Sequence, residues 1–165
     1  MEKALFTSNK NNWRTPKEFF KNLNMEFNFN LDACADDNNK LCDEYYSKEN
    51  SCLEKSWRGK RVFMNPPYGR DIAKFIEKAY SESLAAEIMV MLLPARTDTK
   101  YFHEYILPYC EIRFVKGRLK FLDENNQAKD AAHFPSMVCV SIEDRRNHAR
   151  YTAFSRGLFR SNEKY

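Results

Sequence analysis

The stretch that decides the fold is RVFM at residues 61–64, followed by a second apolar run, IMVMLL, at residues 88–93. Both runs are continuously apolar, which is typical of strands buried on both faces of a parallel sheet. Between them Asp71 can cap a helix with apolar residues at helical spacing, namely Ile72, Phe75, Ile76, Ala79 and Leu84. Parallel neighbours require such a crossover, so this region predicts a strand–helix–strand unit.

The region before this unit predicts one more helix and one more strand. Thr15 can cap a helix in which Pro16 takes the first position and Glu18 completes a capping box. This helix should run to about Leu23. Residues 27–32 (FNFNLD) then alternate apolar and polar side chains, which indicates a strand that ends in an aspartate.

The region after the unit predicts a helix that starts near Thr97 and stops at Pro108, then strands at Ile112–Val115 and Met137–Ile142. Residues 118–127 between these strands alternate basic and apolar side chains and end in turn chemistry, which predicts a hairpin-like excursion. Alternating strands and helices favour a three-layer α/β sandwich with a mostly parallel sheet.

Ligands of such sheets bind beyond the carboxyl ends of the parallel strands. The residues just past the predicted strands are 32–36, 65–68 and 94–98. We therefore expect these three polar segments to converge on one edge of the sheet.

The segment Asn65-Pro66-Pro67-Tyr68 suits the chemistry of an amino group on a heteroaromatic ring. Two prolines make a stiff loop whose carbonyls lack ladder partners. The Asn65 side-chain oxygen and the Pro66 carbonyl could then each accept one N–H of the amino group, and favour the charge that gathers on nitrogen during methylation. Tyr68 offers a face on which an extruded base can stack. The alternative is that the prolines and Gly69 only turn the chain.

Composition bounds the other possibilities. The 165 residues predict one catalytic domain over residues 1–143 and a basic tail over residues 144–165, which has five Arg and one Lys against two acidic residues. We expect no membrane span and no secretory signal, and hence a cytoplasmic protein. Five Cys without zinc spacing and three scattered His predict no metal site. The tail could follow a phosphate backbone or be a frayed terminus.

With these residues described, the chain resembles the phage-type DNA N6-adenine methyltransferase family. The landmarks occur in the family's order: WRTP (13–16), LDACAD (31–36), NPPYG (65–69), LPARTDT (93–99), KGRLKF (116–121) and FPS (134–136). The resemblance implies a Rossmann-like methyltransferase fold, S-adenosyl-L-methionine as donor, adenine in DNA as acceptor, and a role in restriction and modification. In a host cell, a phage-encoded enzyme would act in the cytoplasm.

The resemblance also implies which residues bind the donor. Thr15 and Pro16 resemble the segment that contacts its methionine portion, while Asp32, Ala33 and Cys34 resemble the cofactor loop, although the glycines usual in the wider amino-methyltransferase pattern are replaced by Ala33, Cys34 and Ala35. An acidic residue near the end of the second strand commonly holds the ribose. We expect this residue to be Glu49, with Asp43 and Glu44 as alternatives.

Five further residues are candidates for DNA binding, because a flipped adenine requires the distorted backbone to be held: Arg96, Asp98, Lys116, Arg118 and Lys120. Arg96 and Asp98 could instead be a helix cap and a surface charge, and the three basic residues that follow could form a solvated strand face.

Other methyl acceptors stay open, namely cytosine N4, guanine N2 in RNA and a protein glutamine. The chain could also be an inactive DNA-binding module. We expect a monomer or a weak dimer.

Overall fold

The computed structural model describes residues 13–141 and the backbone of residues 151–154. Its helices are α1 (Lys17–Phe27) and α2 (Ile72–Glu82), with a 3₁₀ turn at Cys52–Glu54 and a π-helical turn at Phe102–Ile106. Its strands are β1 (Leu31–Asp32), β2 (Glu44–Tyr45), β3 (Arg61–Met64), β4 (Ile88–Pro94), β5 (Cys110–Val115), β6 (Ser136–Ser141) and β7 (Tyr151–Phe154).

Within the part of the chain that the structure describes, the strands form one seven-stranded sheet in the order β2-β1-β3-β4-β6-β5-β7. The pairs β1–β2, β1–β3, β3–β4 and β5–β7 are parallel, whereas β6 runs antiparallel to both β4 and β5. The predicted mixed α/β architecture with a mostly parallel sheet is confirmed. Strand β7 lies inside the predicted basic tail, and the rest of that tail is outside the described residues.

The first helix differs from its prediction at both ends. It continues past Leu23 to Phe27 because Phe19, Phe20, Leu23 and Phe27 form one buried stripe, and Asn28 ends it with a φ of 48°. The strand is therefore shorter than predicted and begins only at Leu31. The predicted capping box is wrong. Pro16 precedes the first helical residue without a side-chain cap, because the Thr15 hydroxyl bonds elsewhere.

Aromatic rings attach both helices to the rest of the fold. The Phe20 ring of α1 contacts Phe63 of β3 edge to face, with 5.1 Å between centroids. Tyr80 of α2 stacks at 5.2 Å on Tyr105 in the π-helical turn. Asp71 makes no capping bond but pairs with Lys74 at 2.8 Å, which corrects a predicted cap. The predicted apolar stripe also included Leu84, which lies beyond α2 and is 68% exposed.

The region after β4 holds less helix than predicted: helical residues begin only at Lys100 and end with the π-helical turn at Ile106. The hairpin-like excursion is confirmed: Leu122 pairs antiparallel with Ala128, and the Asp123 carboxylate accepts the amide hydrogens of Asn125 and Gln127. None of the helices in residues 13–141 has the length and apolar character needed to cross a bilayer.

Candidate active site

The carboxyl ends of β1 and β3 lie side by side and form the centre of the candidate site. Asp32 is in register with Phe63, and the Ala33 amide donates to the Phe63 carbonyl at 2.9 Å. Strands β2 and β3 lie on opposite sides of β1. The strand order therefore reverses direction between β1 and β3. Such a reversal opens a crevice at the strand ends, where α/β proteins bind ligands.

The Asn65 amide is held in one orientation by residues some 50 positions away. Its Nδ2 donates to the Trp13 carbonyl at 2.6 Å and to the Thr15 Oγ1 at 2.9 Å. A carbonyl only accepts, so nitrogen and not oxygen must face Trp13. The Asn65 Oδ1 is consequently turned away, and it is buried without a hydrogen-bond partner. The site therefore holds a fixed, unused acceptor at the predicted catalytic residue.

The rest of this segment is buried and firmly held. Pro66 is buried, and Tyr68 is 5% exposed with its hydroxyl donating to the Leu92 carbonyl at 3.0 Å. Burial raises the pKa of Tyr68 well above its usual value, so the phenol is neutral. The Tyr68 ring meets Phe134 and Phe121 at centroid distances of 5.6 Å and 6.1 Å. Its predicted stacking face is not accessible in this arrangement, so that role stays a prediction.

Asp32 organises the loop that follows β1, residues 33–43. It is 2% exposed, and its two carboxylate oxygens accept the amide hydrogens of Cys34 at 3.3 Å and Leu41 at 3.1 Å. Burial raises the pKa of Asp32 from 3.8 to about 6, although the two amide donors act in the opposite direction. Asp32 therefore bridges the two ends of the predicted cofactor loop, which Arg14 also holds through Asp36 at 2.9 Å.

A small pocket joins the predicted donor-binding residues to the predicted catalytic residue. Thr15, Asp32, Cys34 and Asn65 line it, together with Trp13, Arg14, Asn39, Leu41 and Phe63. Pro16 follows Thr15 at the start of α1, and Ala33 is buried beside Phe63. The cavity volume is about 20 Å³, which is room for about one water. The enclosed volume is therefore smaller than a nucleoside.

The residues predicted to hold the ribose do not reach this pocket. Glu49 is exposed and accepts a hydrogen bond from the Ser47 hydroxyl at 2.9 Å. Of its two alternatives, Asp43 is exposed and Glu44 pairs with Lys60. None of the three lines the pocket, and the ribose contact stays a prediction.

Arg14 is a site residue that sequence reasoning missed. It is 7% exposed, and its guanidinium donates to Asp36 at 2.9 Å, to the Glu124 carbonyl at 2.7 Å and to Asn126 at 3.1 Å. Its backbone pairs with Leu122 in both directions. Arg14 thus ties the N-terminal segment to the cofactor loop and to the turn at residues 123–127. The sequence could have indicated Arg14 only through its place in the landmark WRTP, because a single Arg belongs to no periodic pattern.

The predicted DNA-binding residues lie on the surface around this edge. Arg96 and Asp98 are exposed directly after β4. Lys116, Arg118 and Lys120 are exposed too, but the predicted strand face is wrong because β5 ends at Val115. No group of three potential metal ligands occurs in the described ranges.

Comparisons with known proteins point to one family. A family model described as DNA N-6-adenine-methyltransferase (Dam) matches residues 3–160. A DNA N-6-adenine-methyltransferase of Escherichia phage T1 is 31% identical over 161 residues, covering 86% of this chain and 67% of the relative. Another of that name, from Haemophilus phage HP1 (strain HP1c1), is 32% identical over 138 residues, covering 81% of this chain and 79% of the relative. The family match includes every residue that lines the pocket.

Proposed function

The chain belongs to the DNA N-6-adenine-methyltransferase (Dam) family, and we propose on this premise that it transfers a methyl group from S-adenosyl-L-methionine to N6 of adenine in DNA. The resemblance read from the sequence landmarks is confirmed by the family match. One observation carries the proposal to residues: the Asn65 Oδ1 is a buried acceptor whose orientation is fixed and whose hydrogen-bonding capacity is unused.

An adenine amino group offers two N–H donors, and its lone pair is delocalised into the ring. Asn65 Oδ1 accepts one N–H, and the Pro66 carbonyl beside it takes the other. These bonds strengthen as positive charge gathers on N6 in the transition state, so they lower the barrier more than they tighten binding. After transfer, N6 loses one proton to solvent. Tyr68 is neutral, so it does not act as a base, and its ring stacks on the adenine only after Phe121 and Phe134 move away from it.

The donor-binding residues fit a cationic nucleoside. When bound, the donor supplies an electrophilic methyl group attached to a sulfonium. Asp32 is a buried carboxylate at the pocket wall, and such a charge is complementary to a nearby cation. Thr15 and Pro16 bind the methionine portion, and the backbone of Ala33 and Cys34 approaches it closely because both side chains are small. Glu49 reaches the ribose only after the loop rearranges.

We assign the fold to the methyltransferase variant of the three-layer Rossmann sandwich. The reversal between β1 and β3, and the position of Asn65 at that edge, support this assignment. In a duplex the target amino group is hidden, so the adenine is flipped out while Arg96, Asp98, Lys116, Arg118 and Lys120 contact the strand. This activity would take place in the cytoplasm of the host cell.

Nucleoside mass spectrometry tests this function. The protein is incubated with S-adenosyl-L-methionine and, separately, with plasmid DNA, total RNA and a protein mixture. We expect N6-methyladenine in the DNA, formed at least about a hundredfold more slowly by the Asn65→Ala variant. A methyl group on cytosine N4, on RNA guanine or on glutamine would replace the adenine assignment, while DNA binding without any methyl transfer would identify an inactive binding module.

A further inference from the structure

Two residues at the pocket each have a buried side-chain atom without a hydrogen-bond partner, and the two atoms are of opposite kinds. Within residues 13–141, five buried side-chain atoms lack a partner, and two of these belong to pocket-lining residues: Asn65 Oδ1 and Arg14 Nε. Asn65 Oδ1 is the acceptor proposed for the adenine amino group. Arg14 Nε carries a hydrogen, so it is an unused donor, and a buried donor is costly to leave unpaired.

The rest of the Arg14 guanidinium is held in place by the protein. Its Nη1 donates to the Glu124 carbonyl at 2.7 Å and to Asn126 Oδ1 at 3.1 Å, and its Nη2 donates to Asp36 at 2.9 Å. The guanidinium is planar and rigid, so these three bonds also fix the direction of the Nε hydrogen. Arg14 therefore presents a preorganised donor that the protein itself does not use.

The charges at the pocket differ in sign. Arg14 and Asp32 are the charged residues among those that the described part of the chain places around the pocket, and both are buried. Asp36 balances the guanidinium only in part, because the Asp36 side chain is 39% exposed and solvent weakens its attraction. A ligand that fits this wall carries an anionic group for Arg14 and a cationic group for Asp32.

We propose that Arg14 binds the α-carboxylate of S-adenosyl-L-methionine through its Nε hydrogen. This inference rests on the proposed use of that donor. A carboxylate suits arginine because hydrogen bonds between two charged groups are about twice as strong as those between neutral ones. The cationic groups of the same donor are complementary to Asp32. Arg14 thus adds a charged contact to the segment in which Thr15 and Pro16 are proposed to bind the methionine portion.

Calorimetry with two ligands tests the contact in the wild-type protein. One ligand is S-adenosylhomocysteine. The other is its decarboxylated form, S-adenosyl-3-thiopropylamine, which keeps the adenosine, the sulfur and the amino group. We expect S-adenosylhomocysteine to bind at least about tenfold more tightly than the decarboxylated ligand. Equal affinities would overturn the proposal without the use of any variant.

Variants separate a ligand contact from a purely structural tie. Arg14→Gln should bring the two affinities within about threefold of each other, because only the carboxylate ligand loses a partner. Arg14→Lys keeps the charge and should recover part of the ratio. Asp36→Asn is a matched control that removes the ion pair and keeps the guanidinium, so its ratio should equal that of the wild type. An unchanged ratio in Arg14→Gln, or an equal loss of ratio in Asp36→Asn, would overturn the proposal.

Steady-state kinetics give a second readout. Arg14→Gln should raise KM for S-adenosylmethionine by about tenfold and change kcat at saturating donor less than about threefold, because the carboxylate lies outside the reacting atoms. A fall in kcat with an unchanged KM would contradict the contact.

The calorimetry contains no DNA, so it also separates this inference from the proposed function. Methylation of an acceptor other than adenine would refute the proposed function and leave the affinity ratio intact. A wild-type protein that bound neither ligand would refute both.

Discussion

The acceptor side of the site, formed by Asn65 and the residues that hold its amide, is built differently from the donor side, the loop of residues 33–43. Two bonds to the N-terminal segment fix the Asn65 amide before any substrate arrives. The donor loop is held by Asp32, by the Arg14–Asp36 pair at 2.9 Å and by the Asn126 amide on the Asn38 carbonyl, but its pocket encloses only about 20 Å³, less than a nucleoside. We infer that the acceptor side is preorganised and that the donor side adapts on binding.

The largest effect is expected on the acceptor side. Asn65→Ala removes the acceptor whose bond strengthens in the transition state, so kcat should fall by about 10²–10³ while donor affinity changes little. Methyl transfer and calorimetry measure the two quantities. The exposed residue Asn50 offers a matched control, and Asn50→Ala should behave as wild type. An unchanged kcat in Asn65→Ala would refute the preorganised acceptor.

The donor side should respond to pH through Asp32. Ionised Asp32 accepts two amide hydrogens and attracts a cationic donor, and its pKa is raised to about 6. Affinity for S-adenosylmethionine should therefore fall about tenfold from pH 7 to pH 5, because roughly one carboxylate in ten is then ionised. Calorimetry across this range measures it, and Asp32→Asn should remove the trend. A flat profile in the wild-type protein would separate Asp32 from donor binding.

Folding stability should follow the opposite trend at the same group. The pKa of Asp32 is raised from 3.8 in the unfolded chain to about 6 in the native state, so the native state retains a proton that the unfolded state has released. The stability that this proton provides is present below pH 3.8 and is lost as the pH rises through about 6. Urea unfolding at pH 4 and pH 7 measures this contribution to the free energy of unfolding. Between these two pH values the wild-type protein should lose stability relative to Asp32→Asn.

A smaller effect is expected when only one support of the acceptor is removed. Thr15→Val deletes one of the two acceptors for the Asn65 amide and leaves the Trp13 carbonyl, so kcat should fall about fivefold, equivalent to ~1 kcal/mol. Thr15→Ser keeps the hydroxyl and should restore the rate. Because Thr15 is also proposed to bind the methionine portion of the donor, a loss of donor affinity with an unchanged kcat would show that its hydroxyl does not orient Asn65.

The smallest effect is expected at Glu49, which is exposed and outside the pocket. Because Glu49 is proposed to reach the ribose only after the loop rearranges, Glu49→Gln should lower donor affinity only about two- to fivefold. Glu54→Gln is a matched control because its carboxylate is also exposed and lies outside the pocket. A tenfold loss in Glu49→Gln alone would show that the rearrangement brings this carboxylate to the ribose.

The same contrast explains which features the sequence could predict. Strands β3 and β4, helix α2 and the segment after Met64 follow from contiguous apolar runs and local spacing. Residues 27–31 were ambiguous because their alternation fits a strand while Phe27 also completes the helical stripe of α1. The bonds from Asn65 to Trp13 and Thr15 join residues about 50 positions apart, and no local pattern encodes such a contact.

Amide hydrogen exchange with and without S-adenosylhomocysteine tests the central claim most directly, because it reports both sides of the site in one experiment. We predict that ligand binding slows exchange strongly across residues 33–43, while peptides that contain β3 and Asn65 exchange at the same slow rate in both states. Equal protection gained on both sides, or a donor loop already protected in the free protein, would contradict a preorganised acceptor beside an adaptable donor loop.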